Sequence, residues 1–242
     1  MTLYIIGIGL NDEKDITLKG LETVKKCKKL YLDIYTSKIN CSVKKLENLY
    51  KKKITLADRD ILENKSNLIV KEAKKNNIGL LVIGAPLAAT THVNFILECK
   101  KNKVKYEIIE NASIYSAVGI TGLFLYKFGR TSTIPLDNEN VKSCYEVYEM
   151  NNKNKLHTLF LLDIKENRLM TINEGVHYLI RNGLNGNVFL VGCSALDSKE
   201  PEIVYSRAKD LLKYKFKKYP QCLIVPSELH FMEEEVLNLY KK

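Results

Sequence analysis

The run Gly7-Ile8-Gly9-Leu10-Asn11-Asp12-Glu13-Lys14-Asp15-Ile16-Thr17 follows the apolar stretch Leu3-Tyr4-Ile5-Ile6. A strand that ends in a glycine loop and feeds a helix is the usual setting for a nucleotide phosphate, held by free amides at the helix start. That chemistry does not suit this loop. Asp12 stands where G-x-G-x-x-G requires its third glycine, and a phosphate beside Asp12, Glu13 and Asp15 meets like charge. The structural alternative is a tight turn with Asp15 or Thr17 capping the following helix.

Three further stretches carry groups that can do chemistry. In Gly84-Ala85-Pro86-Leu87-Ala88-Ala89-Thr90-Thr91-His92, a glycine and a proline shape a turn, and small residues leave room for a flat ligand against the backbone. His92 reads as a base, a substrate contact or, more simply, a satisfied structural histidine. In Asn111-Ala112-Ser113-Ile114-Tyr115, Ser113 can cap a helix whose free amides suit a carboxylate. Tyr115 can stack on a ligand or fill core. Leu162 and Asp163 end the apolar run from His157, a common place for a site; the alternative for Asp163 is a strand-end cap. No Ser-His-Asp order, H-E-x-x-H, P-loop or paired catalytic carboxylates accompany them.

The elements that must position these groups are legible in outline. Apolar, β-branched runs predict strands at 3–8, 30–34, 53–56, 78–83 and 106–109. Amphipathic stretches predict helices from Thr17, with Leu18, Leu21 and Val24 as the apolar face, and at about 42–50, 65–75, 90–100 and 113–123. This βαβ rhythm predicts a largely parallel sheet with helices on both faces, binding its ligand where strands end. The pattern changes near Gly129, where a polar stretch with one proline runs from 131 to 140. Beyond it the sequence predicts helices near 141–151, 171–181 and 205–213, a last helix from about 232, and strands at 157–162, 188–191 and 222–225. A second α/β domain of similar size follows, with a boundary at 128/129.

The 242 residues are 45% hydrophobic and 27% charged, enough for a sizeable core. No apolar run reaches membrane-spanning length, and the first residues do not read as a secretory signal. The six cysteines show no C-x-x-C spacing and predict reduced thiols rather than zinc. The formal charge of +10 comes from lysine clusters. They suit an acidic partner or RNA, or simply a solvated surface, and no aromatic-basic motif is interleaved with them.

The runs GIGLNDEKDITLKGLE (7–22), YTS (35–37), GAPLAATTH (84–92), SIYSAVGITGL (113–123), YKFGR (126–130), HTLFLLDIK (157–165) and LIVPSELH (223–230) occur in one order along the chain. Together they resemble the diphthine synthase family of tetrapyrrole methylase-like methyltransferases. The resemblance implies an α/β fold of two α/β domains, 1–128 and 129–242, the class III methyltransferase architecture, with S-adenosylmethionine in the interdomain cleft. It implies repeated methylation of the amino group of a modified histidine on translation elongation factor 2, leaving S-adenosylhomocysteine. It further implies a cytoplasmic homodimer, with neither nucleic acid nor membrane as a direct partner. Cofactor contacts carried over by position are Leu10, Ala85, Ala88, Ser113, Ile114, Leu162, Cys193 and Gln221. No metal is implied, and no catalytic base is compelled: His92 and His230 are candidates, and Tyr35 or Tyr115 can face the methylated cation. The cofactor's cationic sulfur also accounts for an acidic glycine loop. Two positions depart from the family: Ala85 stands where Gly-Asp-Pro has its acid, and Gly192 stands near a usual arginine. Rival readings are a catalytically silent relative that binds the same factor, a small-molecule tetrapyrrole methylase and a basic RNA-binding module.

Overall fold

The computed structural model describes residues 1–165 and 168–242, and the chain divides into two compact units, Met1–Ile114 and Tyr115–Lys242. The first alternates β1 (Thr2–Gly7), α1 (Leu18–Lys26), β2 (Lys29–Asp33), α2 (Val43–Tyr50), β3 (Ile54–Ala57), α3 (Ser66–Ala73), β4 (Ile78–Val82), α4 (Val93–Lys101) and β5 (Lys105–Ile109). Its five strands lie in the order β3-β2-β4-β1-β5, all parallel. The period of a strand explains its continuous apolar runs, because successive side chains leave by opposite faces and both faces are covered. Leu3, Ile5, Leu80 and Val82 pack with Ile69, Val70 and Phe95 of α3 and α4. Ile6, Ile8, Leu81 and Ile83 pack with Val24, Leu46 and Tyr50 of α1 and α2. Thr17 caps α1 by accepting from the Gly20 amide at 3.0 Å, while Leu18 is exposed.

Charge is sorted along this unit. The turns from helix into strand, at 25–29, 51–53, 74–77 and 100–105, hold thirteen lysines and no acid. Helix carboxyl ends carry partial negative charge, so cations are favoured there. The loops that leave the strands carry Asp12, Glu13, Asp15, Asp58, Asp60 and Glu63, beside fewer bases.

The second unit continues from α5 (Ile114–Ala117), a short helix that spans the division, through β6 (Ser132–Ile134), α6 (Ser143–Lys153), β7 (Thr158–Leu162), the small hairpin β8 (Ile164–Lys165) and β9 (Arg168–Leu169), and α7 (Ile172–Arg181). It ends with β10 (Phe189–Ser194), β11 (Glu202–Arg207), α8 (Ala208–Leu211), β12 (Gln221–Val225) and α9 (Phe231–Asn238). Its main sheet has the order β11-β10-β12-β7-β6, antiparallel except for β6 on β7. One core of Phe160, Ile172, Tyr178, Leu179, Leu190 and Leu223 joins the sheet to α7.

Three expectations are corrected. The helix expected at 205–213 begins inside β11, which takes its first three residues and pairs with β10 over six, with Ile203, Val204 and Tyr205 buried; only Ala208–Leu211 is helical. The polar stretch 131–140 contains β6, too short to show a period. The helix expected over 113–123 is α-helical only to Ala117 and tightens to a 3-10 turn at Val118–Thr121. Gly122 ends it at φ +86°, a conformation open to glycine. No helix among the described residues is long and apolar enough to cross a membrane.

Residues 115–128 belong to the second unit, tied there by buried Glu233. Its carboxylate accepts from the Phe124 amide (2.8 Å), Lys127 Nζ (2.5 Å), the His230 amide (2.8 Å) and His157 Nε2 (2.9 Å). His157 Nδ1 accepts from the Ser227 amide at 3.0 Å, so its single proton sits on Nε2. Burial pushes the Glu233 carboxyl up, but these donors outweigh it and hold it down to about 2. Burial lowers His157 from 6.5. Both groups bind protons more readily in the unfolded chain, so stability is full above pH 6.5 and falls below it as unfolded His157 charges. It falls further from 4.5 towards about 2, where folded Glu233 is finally protonated. Urea midpoints measured against pH should trace this decline. Glu233→Gln should lower stability at neutral pH by roughly 3 kcal/mol and flatten the acidic part of the curve.

Candidate cofactor site

Three loops of the first unit meet at the carboxyl ends of adjacent strands β4, β1 and β5. Backbone contact brings them together. The Gly84 amide donates to the Gly9 carbonyl at 2.8 Å, and the Ile8 amide to the Val82 carbonyl at 2.9 Å. Gly9 and Gly84 sit at φ +85° and +81°. A Cβ on Gly7 would lie 2.5 Å from the Gly84 oxygen, and one on Gly9 would lie 2.1 Å from Asp15 Cβ. Glycine is therefore required at 7 and 9 by close approach, whatever ligand binds.

The acids of the first loop are mostly engaged by the loop itself. Asp15 Oδ2 accepts from the Asn11 and Asp12 amides at 2.7 and 2.9 Å, and Asp12 Oδ1 accepts from the Lys14 amide at 2.9 Å. The amides that a phosphate would need already have a carboxylate. Asn111 ties in the third loop: its Nδ2 donates to the Gly7 and Asp15 carbonyls, each at 3.0 Å, and its Oδ1 accepts from the Ala112 amide at 2.7 Å.

Leu10, Ala85, Ala88 and Ser113 lie on these three loops, and Ile114 opens α5 directly after the third. Leu10 and Ala88 are half-buried, and Ala85 is buried. At Gly84 a Cβ would meet Leu10 Cδ2 at 3.2 Å and the Ala112 oxygen at 3.6 Å, so the first and third loops close over this glycine. With the Asn11 and Asp12 amides taken by Asp15, the acidic first loop suits an uncharged or cationic ligand portion better than a phosphate. The remaining expected contacts lie in the second unit. Leu162 ends β7, half-buried. Cys193 is fully buried and faces Cys222 across the β10–β12 pair; that hydrogen bond and burial push its thiol well up. Gln221 accepts from the Ile172 amide at 2.9 Å and donates to the Lys218 carbonyl at 2.9 Å, so it holds the start of α7. Gly192 has no space for a side chain, because its Cβ would lie 2.4 Å from Phe216 Cζ.

The histidines considered as bases both make structural contacts. His92 is 1% exposed; its Nδ1 lies 3.1 Å from the Pro86 carbonyl and its Nε2 3.2 Å from Asp33 Oδ2. His230 Nδ1 accepts from the Met232 amide at 3.3 Å and caps α9. Tyr35 already has the Arg59 guanidinium 5.3 Å from its ring centre, whereas the Tyr115 ring is 42% exposed. Asp33 and Asn111 carried no expected role. The signal for Asp33 was an acid closing the buried run Leu30-Tyr31-Leu32; it is fully buried. Burial pushes its carboxyl up, but donors from His92 and Thr36 outweigh this and hold it below the usual carboxylate range.

The family model for tetrapyrrole (corrin/porphyrin) methylases matches residues 2–190. A diphthine synthase of Methanocaldococcus jannaschii is 41% identical over 250 residues, spanning 98% of this chain and 97% of that protein. A diphthine methyl ester synthase of Dictyostelium discoideum is 35% identical over 269 residues, spanning 100% and 98%. The crystal structure of a diphthine synthase superposes with a TM-score of 0.95 at 34% identity, covering 100% of this chain and 96% of that one.

The Asn111 tie can be tested by thermal and urea unfolding. Asn111→Ala should destabilise the chain by about 2 kcal/mol, from the lost bonds to two carbonyls. Asn111→Asp keeps the size but points oxygen at both carbonyls, and should cost more than the alanine.

Proposed function

The chain belongs to the tetrapyrrole methylase family, and from that premise we propose that it transfers methyl groups from S-adenosylmethionine to the amino group of a modified histidine on translation elongation factor 2, within diphthamide biosynthesis. The observation that carries this reading is similarity to diphthine synthases along nearly the whole chain, 41% identical to that of Methanocaldococcus jannaschii. We assign the cofactor contacts to Leu10, Ala85, Ala88, Ser113 and Ile114 of the first unit and to Leu162, Cys193 and Gln221 of the second. A homodimer in the cytoplasm is part of the same proposal.

Bound S-adenosylmethionine supplies a methyl group on a cationic sulfur, an electrophile that an amine can displace directly. The task left to this chain is to align, to hold and to exclude water. Gly9 and Gly84 bring the first two loops into backbone contact, and Asn111 fixes the third. The Asp15 carboxylate closes off the Asn11 and Asp12 amides, which disfavours phosphate ligands and leaves negative charge nearby for a cation. His92 is sealed between the Pro86 carbonyl and Asp33, which leaves it no face for the substrate amine, whereas His230 is an exposed helix cap. Each methylation leaves an amine closer to a permanent cation, and the exposed Tyr115 ring offers it a π face.

Intact mass of elongation factor 2 carrying the aminocarboxypropyl-histidine, incubated with this protein and S-adenosylmethionine, tests the reading. Successive methyl increments are expected. Three increments would match full methylation of the amine, and a fourth would require a second acceptor such as a carboxylate. An unchanged mass beside an active relative overturns the proposal. Tyr115→Leu should slow the later additions by about two- to fivefold and spare the first; an unaltered distribution of products would remove Tyr115 from the account.

A further inference from the structure

Asp33 and His92 form a buried pair that links two loops of the first unit, and the methyl-transfer reading gives no task to either. Asp33 closes β2. Its Oδ1 accepts from the amides of Tyr35 and Thr36 at 2.8 and 3.0 Å, and its Oδ2 accepts from the Thr36 hydroxyl and faces His92 Nε2 at 3.2 Å. On the other side of the ring, Nδ1 faces the Pro86 carbonyl at 3.1 Å, which also accepts from Thr90 Oγ1 at 3.0 Å. Both ring nitrogens thus face acceptors. A neutral imidazole has one donor, so the ring donates to both the carboxylate at 33 and the carbonyl at 86 only when both nitrogens carry protons. The pair is sealed from water, His92 at 1% and Asp33 at 0% exposure. Such a pair is costly to disrupt singly, because removal of one member leaves the other buried and unmatched.

We propose that His92 is a positioning residue whose two nitrogens have separable tasks: Nδ1 fixes the Pro86 carbonyl, and with it the turn that bears Ala85 and Ala88, while Nε2 holds that turn to Asp33 and the loop of Tyr35 and Thr36. The inference rests on the proposed cofactor role of Ala85 and Ala88. The ring is a two-ended bracket, and side-chain amides can replace its ends one at a time. The substitution His92→Asn places a donor near the Nδ1 position, and His92→Gln places one near the Nε2 position.

The test compares His92→Asn, His92→Gln and His92→Ala in S-adenosylmethionine affinity by calorimetry, in KM and kcat for methyl transfer, and in melting temperature. His92→Ala should weaken the cofactor roughly ten- to a hundredfold, as for loss of a charge-assisted bond, with kcat changed by less than about threefold. His92→Asn should recover most of that affinity, and His92→Gln should recover little. Equal affinities in the asparagine and glutamine variants, or melting temperatures that fall while affinity and KM stay unchanged, would overturn the assignment. Amide hydrogen exchange at Tyr35 and Thr36 supplies a readout independent of the cofactor. It should quicken in the asparagine variant, which releases Asp33, and stay slow in the glutamine variant; the opposite order also overturns the proposal. Wild-type protein that binds no S-adenosylmethionine would refute the methyl-transfer reading, and the exchange rates would then decide the two-ended bracket alone.

Discussion

Everything at the strand ends of the first unit depends on one close approach of backbone to backbone. The Gly84 amide meets the Gly9 carbonyl, and there is no room for a Cβ at Gly7 or Gly9. Two loops that follow adjacent parallel strands are thereby locked edge to edge, and the third is bolted on through Asn111. A junction made in this way presents backbone and small side chains, and its shape is set by the sheet rather than by mobile groups. The sheet is in turn set by apolar runs that are buried on both faces.

The charged groups at this end are less a reactive set than a framework. Asp15 satisfies amides, Asp33 satisfies amides and a ring, and His92 satisfies a carbonyl and a carboxylate. A transfer whose electrophile is carried by the bound donor asks for alignment more than for acids and bases.

The first unit was readable because its strands are long apolar runs and its helices begin at residues such as Thr17 and Ser42 that cap them. The second unit was harder for identifiable reasons. Ile203-Val204-Tyr205 runs straight into Ala208-Lys209-Asp210-Leu211, so the helical spacing of the latter masked a strand whose identity comes from pairing with β10. Ser132–Ile134 is too short for any period and exists because β7 lies beside it. In the candidate site, glycine loops after strands were visible locally, as was the acid excess that argues against phosphate. The partnership of Asp33 with His92 was not. The two residues are far apart in the chain and meet only because β2 and β4 are neighbours in the sheet. Gly192 has its own structural account in the Phe216 ring that fills the space above it.

The sorting of charge in the first unit has a consequence for motion in solution. With lysines gathered in the helix-to-strand turns and acids in the loops at the other end, the unit is an electric dipole lying along its strands. A uniform charge only attracts or repels, whereas a dipole also experiences a torque. A charged partner would therefore turn this unit as it approaches, acids towards a cation and lysines towards an anion, before any side chain touches. That orientation acts over about 10 Å at 0.1 M salt and shortens as salt rises. The end of this unit that a partner meets first is in this sense chosen by the field.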